Sequence, residues 1–365
     1  MALKNTLEPE VVAVRLATAL ERHLGVADAR VTGVTVPQSN GLSNETVLFD
    51  ATWAGAEATA KLVARVSPTG PAVFPRYDLG CEFAVMSALA EHTGVPVPAM
   101  YLHEPDPELL GAPFLVMARA DGRVPADDPP HTTEGWVHDL GPADRSTLHD
   151  NGLRVLADLH AVDLDAVDLG FLRERPDAGV AGQLRLWRET FVWAADGDAN
   201  PTVEAALDWA EAHQPPEVES VLNWGDARIG NLIYGDTLDV AAVLDWEMVC
   251  VGPRELDLGW WSMMQRYYAE GIGVPPLAGF PDRAGLLARY HELTGYEAGD
   301  LHYFEVLGAV RLAVLMHRAG NLMIEAGLLP PGAPMRISNP ASNLLARLLD
   351  LPAPEGQVQS FVGHR

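Results

Sequence analysis

Apolar and polar positions change their period along the chain, and the change divides it in two. The first 25 residues, "MALKNTLEPEVVAVRLATALERHLG", carry charges throughout and no long apolar core; they predict an amphipathic helix closed by Gly25. In "ARVTGVTVPQ", Val31, Val34 and Val36 alternate with small polar residues, which predicts a strand. "VLFDATW" and "TAKLVARVS" predict two more, turned at Ala54-Gly55. Residues 79–93 switch to helical spacing through Phe83, Met86, Leu89 and Ala90, with Gly94 as the stop. "PAMYLH" and "PFLVMA" are short apolar runs of strand length. From about residue 143 helical patterns dominate: "DRSTLHDNGLRVLADLHAV", "GQLRLWRETFVWAA", "PTVEAALDWAEAH", "RAGLLARYHELTG" and "LHYFEVLGAVRLAVLMHRAGNLMIEAG". Only "NLIY" and "AAVLD" break that run as strand-like pieces. The expected class is α+β, with a small β-rich N-terminal lobe, a larger mainly helical C-terminal lobe, and a cleft between them suited to a small ligand. The Pro-rich segment 118–144 is expected to link the lobes or lie over the cleft, and the polar tail 351–365 to be loose.

Composition narrows the function classes. A chain of 365 residues that is 48% hydrophobic can bury a large core. Twenty-five Lys and Arg against 50 Asp and Glu give a formal net charge of −25, which repels nucleic-acid phosphates. That surface would suit a cationic small substrate, although solubility alone accounts for it. Cys81 and Cys250 form no Cys-x-x-Cys pair, so neither a disulfide framework nor a zinc site is expected, and a reducing cytoplasmic setting fits. No run of eighteen uncharged apolar residues exists, so no membrane span is expected.

The chemistry concentrates in "NWGDARIGNLIYGDTLDVAAVLDWE", residues 223–247. Asp226 lies in a Gly-bounded loop, Asn231 at the start of one short strand and Asp245 at the end of the next. Adjacent strands would bring Asn231 and Asp245 together as hard oxygen ligands suited to Mg²⁺, leaving the Asp226 carboxylate to accept a proton. That division of labour is the one phosphoryl transfer uses. Asp-x4-Asn alone matches many loops; the longer string "GDARIGNLIY…VLDWE…GPRELDLGW" is far more specific. Two other motifs fail. "DLDAVDLG" breaks calcium-loop spacing at Val167, and "SNGLSNE" lacks the glycine a nucleophile elbow needs after Ser43.

Together with "KLVARVSP", these strings resemble the aminoglycoside phosphotransferase-like kinases, a superfamily that includes choline and fructosamine kinases and the kinase-like domains joined to some acyl-CoA dehydrogenases. The nearest resemblance is to a mycobacterial subgroup of aminoglycoside phosphotransferases, over residues 30–330. It implies a protein-kinase-like fold with a nucleotide-binding lobe at 1–117, a hinge at 118–122 and a catalytic and substrate lobe at 123–350. It implies ATP and Mg²⁺ as cofactors, a small-molecule hydroxyl acceptor such as an aminoglycoside, and a link to antibiotic resistance; a hydroxylated acyl-CoA is the alternative acceptor. Carried over by position, Asp226 is the catalytic base, and Asn231 and Asp245 are the metal ligands. Arg65 contacts the α/β-phosphates, with Lys61 as its rival on the same strand face, and Glu82 pairs with that cation. Ser43 and Asn44 lie near the phosphates, and Ala118 and Ala120 offer backbone groups to adenine. Asp257 is expected to brace the catalytic loop. The family usually has His before Gly-Asp; here Trp224 stands there, so the loop must be braced differently. Trp187, Trp260 and Trp261 read as core, and His160 as a helix-end residue. A nucleotide-binding module without transfer and a metal-dependent hydrolase are the rival readings from other classes.

Overall fold

The fold is taken from a computed structural model, which describes residues 8–36 and 44–359. The chain forms two compact units, Met1–Asp121 and Gly122–Arg365.

The first unit is a five-stranded antiparallel sheet with two helices. Its strands are β1 (Arg30–Thr35), β2 (Glu45–Thr52), β3 (Ala60–Val66), β4 (Met100–Glu104) and β5 (Phe114–Ala118), in the order β1-β2-β3-β5-β4. Helix α1 (Pro9–Leu24) ends where Gly25 adopts φ 65°, as its sequence predicted. Strict alternation in β2 sends Val47, Phe49 and Ala51 into a core that Leu16 and Leu20 of α1 also enter. Central β3 is buried on both faces: Leu62, Ala64 and Val66 join that core, while Val63 and Arg65 take the opposite face. Gly55, φ 85°, turns the β2–β3 connection. Helix α2 (Leu79–His92) starts at Asp78, whose carboxylate accepts the Cys81 N–H.

The second unit is mainly helical. Its helices are α3 (Trp136–Asp139), α4 (Pro142–His160), α5 (Gly179–Ala195), α6 (Pro201–Ala212), α7 (Glu255–Arg266), α8 (Arg283–Thr294), α9 (His302–Glu325) and α10 (Pro340–Leu348). The long α9, apolar nearly all round, is the central rod against which α5, α6, α7 and α10 pack. Asn200, Asp282 and Asn339 cap α6, α8 and α10 with their side chains. Two small ladders carry the loop region: β6 (Val221–Asn223) with β9 (Cys250–Gly252), and β7 (Leu232–Tyr234) with β8 (Val240–Val243). Helix α7 runs directly into a π-helical turn, Tyr267–Gly271.

Segment 118–144 is not a free strap. Within the second unit Arg123 bridges to Tyr234, and the Thr132 hydroxyl donates to the Tyr268 carbonyl at 2.6 Å. Hydrogen bonds of Ser338 reach the described part of the tail. Gln359 N–H donates to the Ser338 carbonyl at 3.0 Å, and the Ser338 hydroxyl donates to the Gly356 carbonyl at 3.2 Å. Among the described residues, no helix is long and apolar enough to cross a membrane.

Candidate active site

The β6 strand delivers the chain to Trp224-Gly225-Asp226, and the loop's shape is fixed from beneath. Asp257, on the first turn of α7, accepts the Trp224 N–H at 2.7 Å on one carboxylate oxygen and the Gly225 N–H at 2.8 Å on the other. His160, at the end of α4, lies 3.3 Å from Asp257 through Nε2 and 2.7 Å from the Tyr290 hydroxyl through Nδ1. The expected bracing role of Asp257 therefore has a direct geometry. His160 is more than a helix end: it is 2% exposed and belongs to the brace. From the other side, Arg311 of α9 donates to the Gly225 carbonyl at 2.7 Å and stacks its guanidinium over the Trp260 ring at 4.4 Å. Burial lowers the pKa of Arg311, yet the carbonyl and the ring faces give the cation partners. Gly225 is required where it stands. Its φ is 92°, and a Cβ there would meet the Met248 carbonyl oxygen at 2.0 Å.

Trp224 takes its place without the acceptor a histidine would offer. Its ring is fully buried, and its indole N–H donates to the Leu244 carbonyl at 2.8 Å. The bond ties the residue before Gly-Asp to the segment that carries Asp245.

The Asp226 carboxylate is held at both oxygens. Trp260 donates its indole N–H to Oδ1 at 2.8 Å; Asn231 donates its amide to Oδ2 at 2.7 Å and to the Asp226 carbonyl at 3.1 Å. Trp260 was expected to be core alone; it is buried, but it also touches the candidate base. Asn231 ends a 3₁₀ turn, Ile229–Asn231, one residue ahead of β7. Its carbonyl accepts the Leu244 N–H at 2.9 Å, which brings Asp245 alongside. Asp245 lies two residues past the end of β8 in the left-handed conformation, φ 63°, which Asp tolerates better than most residues. The Asn231 amide nitrogen is committed to Asp226, so its oxygen is the atom that would act as a hard donor, with the Asp245 carboxylate as the second donor expected from the sequence. A pair of oxygen donors completed by phosphate oxygens and water is the usual protein share of a Mg²⁺ site. Among the described residues no group of three or more His, Cys, Asp or Glu is arranged for a metal.

Next to the candidate base lies Arg228, which sequence reasoning did not single out. Its guanidinium reaches Asp226 at 3.2 Å and Asp127 at 2.7 and 2.9 Å, and Asp127 in turn accepts the Tyr268 hydroxyl at 2.5 Å. Desolvation alone would raise the Asp127 carboxyl, but the Arg228 guanidinium and the Tyr268 bond outweigh it and hold the pKa below its ordinary value. Desolvation, with the Asp127 charge added to it, pushes the Tyr268 phenol up. His131 and His149 are both lowered to about 4, chiefly by burial, and are neutral at pH 7. His149 Nε2 accepts the Trp261 indole N–H at 2.9 Å, a bond its protonation would abolish.

In the first unit, Arg65 is the buried cation of its strand and lies 3.7 Å from the buried Glu82 carboxylate. Lys61, its rival, is half exposed and faces Asp121 at 3.5 Å. Asn44 is buried at the start of β2. Ser43 falls outside the described residues. Ala118 departs from its expected role in part: its N–H is already donated to the Ala99 carbonyl at 2.8 Å, so it has no backbone donor left for a ligand. Ala120 lies two residues beyond β5 and is half-buried.

Known proteins resemble this chain over most of its length. The family model described as "Phosphotransferase enzyme family" matches residues 35–300. Acyl-CoA dehydrogenase family member 10 of Mus musculus is 30% identical over 227 residues, covering 62% of this chain and 20% of that protein. The chain thus spans a fifth of that relative's length, and 44% of acyl-CoA dehydrogenase family member 11 of Rattus norvegicus, to which it is 24% identical over 366 residues. Among solved structures, an assigned aminoglycoside phosphotransferase of Ralstonia eutropha JMP134 superposes with a TM-score of 0.68 at 26% identity, covering 92% of this chain and 98% of that one.

Proposed function

The chain belongs to the phosphotransferase enzyme family, and we propose that it moves the γ-phosphoryl group of ATP to a hydroxyl of a small molecule with the help of Mg²⁺. It is a phosphotransferase with an alcohol as acceptor. The observation that carries the detailed reading is the carboxylate of Asp226, fixed by Trp260 and Asn231 on a loop followed by Asn231 at the end of the 3₁₀ turn and Asp245 just past β8.

In this reading Asp226 orients the acceptor hydroxyl and takes its proton late, since the transition state is loose and needs position more than a strong base. The Trp260 and Asn231 bonds keep that carboxylate from rotating. Asn231 and Asp245 are the residues that would hold Mg²⁺, which supplies charge neutralisation on the phosphates when bound. In the first unit Arg65, held by Glu82, is assigned to the α/β-phosphates, and Asn44 with Ser43 to the loop near them. With the Ala118 N–H committed, the backbone donor to adenine falls to Ala120. The acceptor is read first as an aminoglycoside, the class named for the Ralstonia structure. The acyl-CoA dehydrogenase relatives favour a hydroxylated acyl-CoA as the second reading.

The test is ADP formation from Mg–ATP by the purified protein against aminoglycosides and hydroxylated acyl-CoAs, with Asp226→Ala as control. ADP that requires one acceptor and vanishes in the mutant supports the reading. Wild-type turnover in Asp226→Ala would overturn the base assignment. ATP binding without consumption, across all acceptors, would favour a non-catalytic nucleotide-binding module.

A further inference from the structure

Two residues after the candidate base, Arg228 stands between two carboxylates and is bound to them unequally. Its Nη1 donates to both oxygens of Asp127, at 2.7 and 2.9 Å, the span of charge-assisted bonds. Its Nε lies 3.2 and 3.3 Å from the two oxygens of Asp226, beyond that span. The charges acting on the guanidinium run in the same order. Desolvation would lower its pKa, but Asp127 first and Asp226 second hold it well above the ordinary value. Among the described residues these are the two carboxylates that Arg228 reaches. It also borders a mostly apolar cavity of about 420 Å³, lined largely by the stretch from Trp261 to Arg283.

Asp127 is brought to Arg228 by its own segment. On one side, Arg123 and Tyr234 of β7 exchange backbone bonds of 2.9 Å each way. On the other, the Thr132 hydroxyl donates to the Tyr268 carbonyl at 2.6 Å. Between these anchors, the Asp127 oxygen that takes Arg228 at 2.7 Å also accepts the Tyr268 hydroxyl at 2.5 Å. Gly230 leaves the space in which the pair sits. It lies in a 3₁₀ turn that other residues could form, so what its missing side chain supplies is room. A Cβ there would run into Arg228 Nη1 and come within 3.0 Å of Asp127 Oδ1.

The unequal division matters at Asp226. Each carboxylate oxygen offers two lone pairs. Those of Oδ2 face the Asn231 amide at 2.7 Å and Arg228 Nε at 3.3 Å. On Oδ1 the Trp260 indole takes one at 2.8 Å, and Nε makes only an ion-pair contact at 3.2 Å. The other Oδ1 lone pair is the place for an acceptor hydroxyl. Guanidinium and carboxylate prefer to meet through two parallel N–H···O bonds, one to each oxygen. In that arrangement Arg228 would fill the last place on Oδ1. Its donors and its charge are suited to it, and the shorter bonds to Asp127 draw Nη1 the other way.

We propose that Asp127 is a positioning residue for phosphoryl transfer: by holding the Arg228 guanidinium through Nη1, it keeps a two-nitrogen pair from forming on Asp226 and leaves an Oδ1 lone pair to the acceptor hydroxyl. The inference rests on the phosphotransferase reading and adds a residue that acts through Arg228 rather than on the substrate. A pair that merely tied two segments together would lose its worth when either partner was removed. Here the two removals differ. Neutralising Asp127 releases Arg228 onto the base, and shortening Arg228 as well takes away the group that would block it.

The test is a double-mutant cycle on the full chain with Asp127→Asn, Arg228→Met and the two combined. ADP formation from Mg–ATP is followed with aminoglycosides and hydroxylated acyl-CoAs, under conditions where urea midpoints show each variant folded. Asp127→Asn weakens the bonds that hold Nη1. Its kcat is expected to fall at least about tenfold, with the ATP KM changed by less than about twofold. The combined variant is expected to turn over at least about tenfold faster than Asp127→Asn alone. Gly230→Ala crowds Nη1 with every charge kept; it is expected to act like Asp127→Asn and to be relieved by the same Arg228→Met. A crystal structure of Asp127→Asn is expected to show Arg228 on both Asp226 oxygens through two nitrogens. A combined variant no faster than Asp127→Asn would overturn the proposal, as would a crystal structure in which Arg228 keeps a single nitrogen on Asp226. ADP from the unmodified protein together with an equally active Asp127→Asn overturns the positioning role and leaves the phosphotransferase reading intact. No ADP from the unmodified protein with any acceptor fails that reading itself and takes the positioning role with it.

Discussion

The catalytic loop from Asn223 to Asn231 and the cavity wall from Trp261 to Arg283 meet through Arg228, Asp127 and Tyr268, yet they are built in opposite ways. In the loop, polar groups are tied one by one. Two backbone N–H groups go to Asp257, the Gly225 carbonyl goes to Arg311, and both Asp226 oxygens have donors. The wall is mostly apolar, and its charged groups pair among themselves and with Glu305: Arg266 with Glu270 and Glu305, Arg283 with Glu305. Directional bonds fix the carboxylate of Asp226, whereas the stretch from Trp261 to Arg283 lends a mainly apolar lining to a cavity of about 420 Å³.

The largest effect that separates the two is expected from Asp226→Ala. Its kcat should fall on the order of 10²–10⁴-fold with ATP affinity little changed, measured by ADP release and nucleotide titration. Equal losses in kcat and in nucleotide affinity would mean that the loop does not separate chemistry from binding. Next comes Asp257→Ala, which strands two buried N–H groups. The expected loss is about 2–5 kcal/mol of unfolding free energy, read from the urea midpoint, with kcat falling alongside.

A third effect belongs to the wall. His131 and His149 have native pKa values of about 4, below the ordinary 6.5, so between these values the unfolded chain binds protons that the native one does not. Their contribution is intact above pH 6.5 and is lost as the pH falls from 6.5 towards 4, at ~1.4 kcal/mol per pH unit for each histidine. His149→Gln should flatten the urea-midpoint profile by one histidine's share over that window; an unchanged slope would show that His149 is not held neutral. The smallest effect is expected from Trp260→Phe, which keeps the ring over Arg311 but removes the donor to Asp226. A kcat loss of roughly tenfold, about 1.5 kcal/mol, at an unchanged urea midpoint would show that the indole N–H positions the base.

Much of this was legible in the sequence where the information is local. β2 alternates cleanly because one face enters the core, and α1 carries both its periodicity and its terminal Gly25. Asp226, Asn231 and Asp245 were legible because twenty residues hold all three and the intervening ladder is short. α7 was not, because "ELDLGWWSMMQR" is buried on nearly all sides and shows no polar stripe to reveal its period. The same holds for the partners that hold the site. Arg228 was in view, but Asp127 lies 101 residues before it, Tyr268 a further 141 residues from Asp127, and Arg311 86 residues from Gly225. No spacing rule links such positions; only the packing of α4, α7 and α9 does. The net charge of −25 did not identify a ligand, because it averages over the whole surface, whereas a ligand meets only the few groups lining its cavity.

The π-helical turn at Tyr267–Gly271 makes the wall adjustable by length as well as by side chain. Deleting one residue there would return the turn to ordinary α-helical register and rotate everything beyond it by ~100° about the helix axis. Tyr268 would swing away from Asp127, and the chain leading to α8 would leave from a different side. A single-codon loss or gain would therefore reshape the whole wall at once, while the Gly-Asp loop, anchored by Asp257 on the first turn of α7, stays where it is.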